Sequence, residues 1–386
     1  MATATIARAA IVLGGLILAG AAVSMGAAVR LGRTDPALAA RVAPYDARAA
    51  TAAAQAAVEG GASVQAPRVR ALVRRALFRD VTMPSAIELR ALDANLAGDG
   101  RREAQLFELS DAISRRSLPT RLWLIQRSVD RGDVAGALED FDIALRTSSN
   151  APKVLFPVLS RAASDPTLAV PIARVLDRPE DWRVMFLNYA ITQAHAGEGV
   201  SEVVLRMRDR KAITDNGIDA ALVGELVAEQ DFPAARRVHD AFHGSARRTL
   251  VSDETFSDPK PDFPFGWRLA DGGDFGAERT AAGLAYRSLP ERAGQVAGQL
   301  LTLPPGDYRL SAKTATAADA TALPYWTLTC ANPSGQIARL DQPASGTAAV
   351  DFTVPVACAG EWLALTLRPS EAANQGSVAT VSVAPR

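Results

Sequence analysis

Apolar positions between residues 67 and 248 recur at three- and four-residue steps, whereas after residue 249 they alternate singly. The first period is that of helices and the second that of strands. Within residues 131–152, Leu138, Phe141, Ala144 and Leu145 form one stripe, while Glu139, Asp140, Asp142 and Arg146 fall elsewhere. This predicts a turn followed by a helix that must bury one side. The same turn-then-helix pattern returns at steps of 32 to 33 residues, opening at Gly100, Gly132, Asp165, Gly197 and Gln230. Each turn follows another amphipathic run, such as AIELRALDANLA, RLWLIQRSV or WRVMFLNYAITQA. A two-helix unit of this size cannot bury its apolar face alone, so neighbouring units are predicted to stack on either side of it.

Over residues 67–250 this pattern resembles tetratricopeptide repeats. The best unit, residues 118–151, has Leu124 on its first helix, Gly132 at the turn, and Ala137, Phe141 and Ala144 at the small and aromatic packing positions. The resemblance implies an α-solenoid whose concave groove holds a protein partner. Other units depart from the pattern. His239 stands at an aromatic position, and the unit around Asp165 lacks the turn glycine and carries Pro171 in its second helix, which predicts a kink or a broken helix. No peptide-clasping residues carry over from the family.

The segment SDPKPDFPFG concentrates prolines and reads as a linker over residues 251–264. Nine short runs of period two follow in residues 265–386, from GWRLA to VATVSV, with turn residues such as PPGD and NPSG between them. They predict an antiparallel β-sandwich. That domain resembles jelly-roll and galactose-binding-like sandwiches, a group rich in carbohydrate-binding modules, and the resemblance implies contact with a glycan or with another protein. The predicted fold class is therefore multidomain, α plus all-β.

The N-terminus adds a compartment. Residues 9–29 form an uncharged run of twenty-one residues, which as a helix spans about 30 Å, the thickness of a bilayer core. It reads as a transmembrane anchor with residues 1–8 as a cytoplasmic tip. A cleaved signal peptide is the alternative, since Ala27 and Ala28 suit a small-residue cleavage site. Residues 30–66 are rich in alanine and poor in large apolar groups, predicting a stalk or a first helix. In either case the rest of the chain lies outside the cytoplasm, in the periplasm of a bacterial inner-membrane protein or secreted.

Charge excludes one class of partner. Forty-two basic residues balance forty-two acidic ones, so no net field draws the chain to nucleic acid. Paired arginines at 74/75, 101/102, 115/116, 236/237 and 247/248 read as solvated helix faces or as a groove for an acidic partner.

Few residues offer chemistry. HDAFH places His239 and His243 one helical turn apart, as a zinc-protease motif would, with Asp240 where that motif has glutamate. The pair is a metal candidate or a surface pair on a helix. The only two cysteines, Cys330 and Cys358, have inward parity on their strands, which in an exported chain predicts a disulfide. In EWLALTLR, Leu363, Leu365 and Leu367 take one face and leave Trp362, Thr366 and Arg368 on the other. That outward ring is a sugar platform or the cover of a sheet edge. Trp267, Tyr308 and Trp326 follow inward parity and are predicted core. There is no nucleophile elbow, P-loop or dinucleotide fingerprint, and no cofactor is implied. The expected role is a noncatalytic scaffold serving surface polysaccharide assembly or export. The alternatives are an envelope hydrolase, metal- or glycan-active, and a structural spacer.

Overall fold

The computed structural model describes residues 23–178, 181–208, 210–244, 249–316 and 322–386. They fall into two units, one ending at Leu155 and the other beginning at Phe156. Helices build the first unit and the opening of the second, and an antiparallel two-sheet β-sandwich completes the second.

The run expected to span a membrane lies outside the described residues up to residue 22. Its described remainder belongs to a helix over residues 23–34 (α1), and among the described residues no helix is long and apolar enough to cross a membrane. Seven residues of an uncharged run are too few, so the expected transmembrane helix has no support in these elements. Ala28 of α1 is buried against Ala39, Ala43 and Ala49. The alanine-rich stretch that follows is helical: α2 (Pro36–Val42) and α3 (Ala47–Glu59) precede α4 (Pro67–Arg79) and α5 (Pro84–Leu96). Ala47, Ala50 and Ala54 pack on Val69, Val73 and Leu89, so small side chains serve here as close contacts between helices.

Pairs of consecutive packed helices occur in both units, though not at every predicted turn. In the first, α5 packs on α6 (Gly100–Ile113) and α7 (Leu118–Asp130) on α8 (Val134–Thr147). After α9 (Ala151–Ala163) come α10 (Ala169–Leu176), α11 (Trp182–Thr192), α12 (Gly197–Arg206), α13 (Arg210–Asp215), α14 (Ile218–Ala228) and α15 (Phe232–His243). One turn recurs. Gly98, Gly132 and Gln230 take left-handed backbone at φ +74°, +69° and +65°. Each is followed by an aspartate, Asp99, Asp133 or Asp231, whose carboxylate accepts an amide of the next helix's first turn. The turn glycine before α6 is therefore Gly98, two residues earlier than the sequence pattern placed it. At the last turn glutamine occupies a conformation that costs a non-glycine residue free energy. Pro171 breaks no helix, because α10 starts at Ala169 and leaves it in the first turn, where proline costs little.

The first half of residues 251–264, expected as a linker, is packed onto the sandwich. Val251 and Phe256 are fully buried, and Phe256 lies 5.0 Å from the Trp267 ring. The Asp253 carboxylate accepts the Ser257 and Asp258 amides, while its carbonyl accepts Trp267 Nε1.

Among the described residues ten strands make the sandwich: β1 (Arg268–Leu269), β2 (Phe275–Thr280), β3 (Gly283–Ser288), β4 (Gly294–Leu301), β5 (Gly306–Thr316), β6 (Tyr325–Cys330), β7 (Gly335–Asp341), β8 (Thr347–Val354), β9 (Glu361–Leu367) and β10 (Asn374–Pro385). One sheet runs β1-β4-β9-β6-β7 and the other β2-β3-β10-β5-β8. The strand absent from the sequence reading is β2, an edge strand whose FGAERT carries glycine and two charges and so shows little alternation. Trp267, Tyr308 and Trp326 are buried as expected; Trp326 is wholly enclosed, with Nε1 donating to Gln342 Oε1 at 2.9 Å.

Candidate functional site

Parity along β9 sets the site. Leu363, Leu365 and Leu367 are buried between the sheets, so Trp362, Ala364 and Thr366 face outward. Residues opposite one another across an antiparallel pair share a face. On β6 this brings Thr329 opposite Trp362, Thr327 opposite Ala364 and Tyr325 opposite Thr366. On β7, Arg339 lies opposite Thr327 and Asp341 opposite Tyr325. Trp362 and Thr366 are four residues apart, about 13 Å along the strand. The outer face of this sheet is thus a row of threonine hydroxyls with an aromatic ring at either end.

Both rings are held in place. The Arg339 guanidinium sits 4.0 Å from the centre of the Tyr325 ring and that of Arg368 5.3 Å from it. Asp341 holds both arginines, with Arg339 Nε at 3.6 Å and Arg368 in closer contact. At the other end Trp362 stacks on Phe263 with ring centres 6.0 Å apart, and Arg268 lies 5.4 Å over Phe263. Trp362 and Tyr325 remain half-buried. Ring faces attract polarised C–H groups, and the hydroxyls and guanidiniums can hydrogen-bond hydroxylated ligands.

Trp362, Thr366 and Arg368 therefore share one face of the sandwich. β9 is the middle strand of its sheet, so Trp362 does not cover an edge strand. The sequence reading omitted Tyr325, Arg339 and Phe263. Tyr325 was within its reach, since an inward Trp326 forces the preceding residue outward. Phe263 was not, because it stands in a proline-rich segment with no periodicity.

The histidine pair of α15 is engaged elsewhere. The rings of His239 and His243 stack with centres 4.9 Å apart, and His239 also meets Phe265 edge-on at 5.0 Å. His243 Nε2 lies 3.0 Å from the buried Asp219 carboxylate and Nδ1 3.2 Å from Asp262. Burial lowers the pKa of His239, favouring the neutral ring. With stacked rings and both nitrogens of His243 facing carboxylates, the pair does not converge on a metal. Among the described residues no group of three or more His, Cys, Asp or Glu could hold one. The pair instead joins α15 to the segment entering the sandwich. At the opposite end of α15, Phe232 lies so close to Gly360 that a Cβ there would meet its ring at 2.7 Å, and Asn332 Nδ2 donates to Gln230 Oε1 at 2.7 Å.

Cys330 and Cys358 form a buried disulfide with Cα atoms 5.7 Å apart. Glu361 pairs with Cys330 across the strands and is itself wholly buried. Its Oε2 accepts the Leu303 amide at 3.0 Å, and Oε1 is buried without a partner among the described residues. Burial outweighs that single hydrogen bond and pushes the carboxyl up to about 7. It lies on the inner side of the sheet and takes no part in the outer face.

No family model and no curated protein matches this chain. Among solved structures it is similar to TmCBM61 in complex with beta-1,4-galactotriose, at 11% identity and TM-score 0.27, over 36% of this chain and 100% of that one. Family 16 Carbohydrate Binding Module-2 matches at 16% identity and TM-score 0.26, over 35% and 99% of the two chains. The CBM22-1 xylan-binding domain from Paenibacillus barcinonensis Xyn10C matches at 11% identity and TM-score 0.24, over 36% and 97%.

Proposed function

We propose that this chain is a noncatalytic scaffold of a bacterial envelope, anchored in the inner membrane by residues 9–29 with its bulk in the periplasm. Its helix pairs form a tetratricopeptide-like solenoid whose groove holds a protein partner, and its sandwich binds a polysaccharide. The work fits assembly or export of a surface glycan.

One observation carries the glycan part: Trp362 and Tyr325 flank Thr327, Thr329 and Thr366 on the outer face of one sheet, with Arg339 and Arg368 braced over Tyr325. Rigid rings with hydrogen-bond donors between them match the alternating C–H and hydroxyl faces of a sugar chain. The test is affinity electrophoresis of the full chain, in neutral detergent, through gels containing polysaccharide from the producing envelope. The wild type should be retarded and Tyr325→Ala released, at unchanged migration in plain gels. Equal migration of the wild type with and without polysaccharide rejects the glycan reading.

A further inference from the structure

The first unit holds an open cavity, far in sequence from the sandwich. An open cavity of about 670 Å³ is bounded by residues of α2, α3 and α4, with alanines such as Ala40, Ala53 and Ala57 among its lining. Its polar lining is cationic. Arg41, Arg68 and Arg75 contribute to it against a single carboxylate, Asp35, which already accepts the Leu38 amide at 2.9 Å. Arg75 Nη2 donates to the Ala40 carbonyl at 3.3 Å, and its Nε is buried with no partner among the described residues. None of the three arginines is paired with a carboxylate among the described residues, whereas Arg70 on the same helix is paired with Asp93 at 2.5 Å. The surroundings share this bias. Residues 30–80 carry nine arginines against four acidic residues, in a chain that has no net charge as a whole.

Position names the ligand class. Thr34, the last residue of α1, also lines the cavity. Five residues separate it from Val29, the end of the uncharged run, or about 7.5 Å of helix. The headgroup layer beyond the hydrocarbon core is about 5 to 7 Å thick on each side of a bilayer. We infer that this cavity binds the phosphate of an anionic phospholipid headgroup, with Arg41, Arg68 and Arg75 as its donors. Guanidinium forks match phosphate oxygens, and the alanines accept the less polar part of the lipid. The inference rests on the membrane placement proposed above.

The experiment is isothermal titration of the full chain, in neutral detergent, with dioctanoyl phosphatidylglycerol, dioctanoyl phosphatidylcholine or inorganic phosphate. Phosphatidylglycerol should bind saturably, with the other two at least about tenfold weaker. Arg41→Gln and Arg68→Gln should each weaken it about tenfold, as expected when a charge-assisted hydrogen bond is lost. Arg74→Gln removes the same charge from α4 outside the cavity and should leave binding within about twofold. Equal binding by wild type and both cavity variants overturns the proposal. So does an equal loss in Arg74→Gln, which would mark nonspecific attraction, and so does inorganic phosphate binding as tightly as the lipid. Salt extraction of native membranes separates this from the anchor reading: if the chain leaves without detergent while specific lipid binding persists, the cavity stands and the anchor falls.

Discussion

Glu88 among the helices and Glu361 in the sandwich are both almost wholly buried carboxyl groups, and the two regions treat them in opposite ways. Glu88 Oε1 accepts Ser110 Oγ and Thr120 Oγ1, each at 3.0 Å, so residues from α5, α6 and α7 meet in one polar joint. Glu361 receives one backbone amide and keeps a buried oxygen without a partner among the described residues. The helical region fastens successive helices with local polar contacts. The sandwich closes over a core drawn from distant strands and leaves the inward Glu361 poorly served.

The largest test of that contrast lies in the core of the sandwich. Trp326→Ala should cost the sandwich about 3 to 5 kcal/mol, because a wholly enclosed ring leaves a cavity and orphans Gln342 Oε1. Thermal unfolding followed by near-ultraviolet dichroism measures it, and a shift worth under about 1 kcal/mol would show that the core repacks freely. Reduction of Cys330–Cys358, which closes a 28-residue separation, should cost about 3.5 kcal/mol from loop-closure entropy.

The pH response of Glu361 comes next. Folding raises this carboxyl from 4.5 to about 7, so the folded chain holds the proton longer than the unfolded one. Stability should be greatest below pH 4.5, fall as pH rises towards 7 and then level, a loss on the order of 3 kcal/mol. Glu361→Gln should flatten that profile in denaturant titrations at pH 5 and pH 8, and an unchanged slope would place the titrating group elsewhere. Glu88→Ala is expected to cost the helical region about 1 to 3 kcal/mol, the usual effect of orphaning buried hydroxyls. The Ser110 to Thr120 hydrogen bond softens this loss.

The same contrast explains what could be read in the sequence. Helix pairs were legible because their stripes and turns are local; even Gln230 at a glycine position kept its turn, with Asp231 capping α15 behind it. Strand parity likewise placed Trp267, Tyr308 and Trp326 inside and Trp362 outside. Edge strand β2 escaped because one glycine-containing, charged strand has little period of its own. The packing of residues 251–264 escaped as well, since its anchors, Phe256 on Trp267 and Gln299 on Ser252, depend on residues up to 47 positions away. Asp219 and Asp262, which flank His243 from either side in sequence, were beyond any motif.

Under the proposed function the outer face of the β9 sheet is a contact surface while the inner face only holds the fold. Trp362→Ala and Trp326→Ala, each studied in the full chain for both unfolding midpoint and binding to envelope oligosaccharide, test it most directly. The outward ring is half-buried on Phe263, and its removal should cost stability no more than about 1 kcal/mol while weakening binding by about 1 to 2 kcal/mol. Trp326→Ala should lower the midpoint steeply and, in whatever fraction stays folded, leave affinity intact. If Trp362→Ala unfolds the sandwich, or binds as tightly as the wild type, the outer face is not the glycan surface.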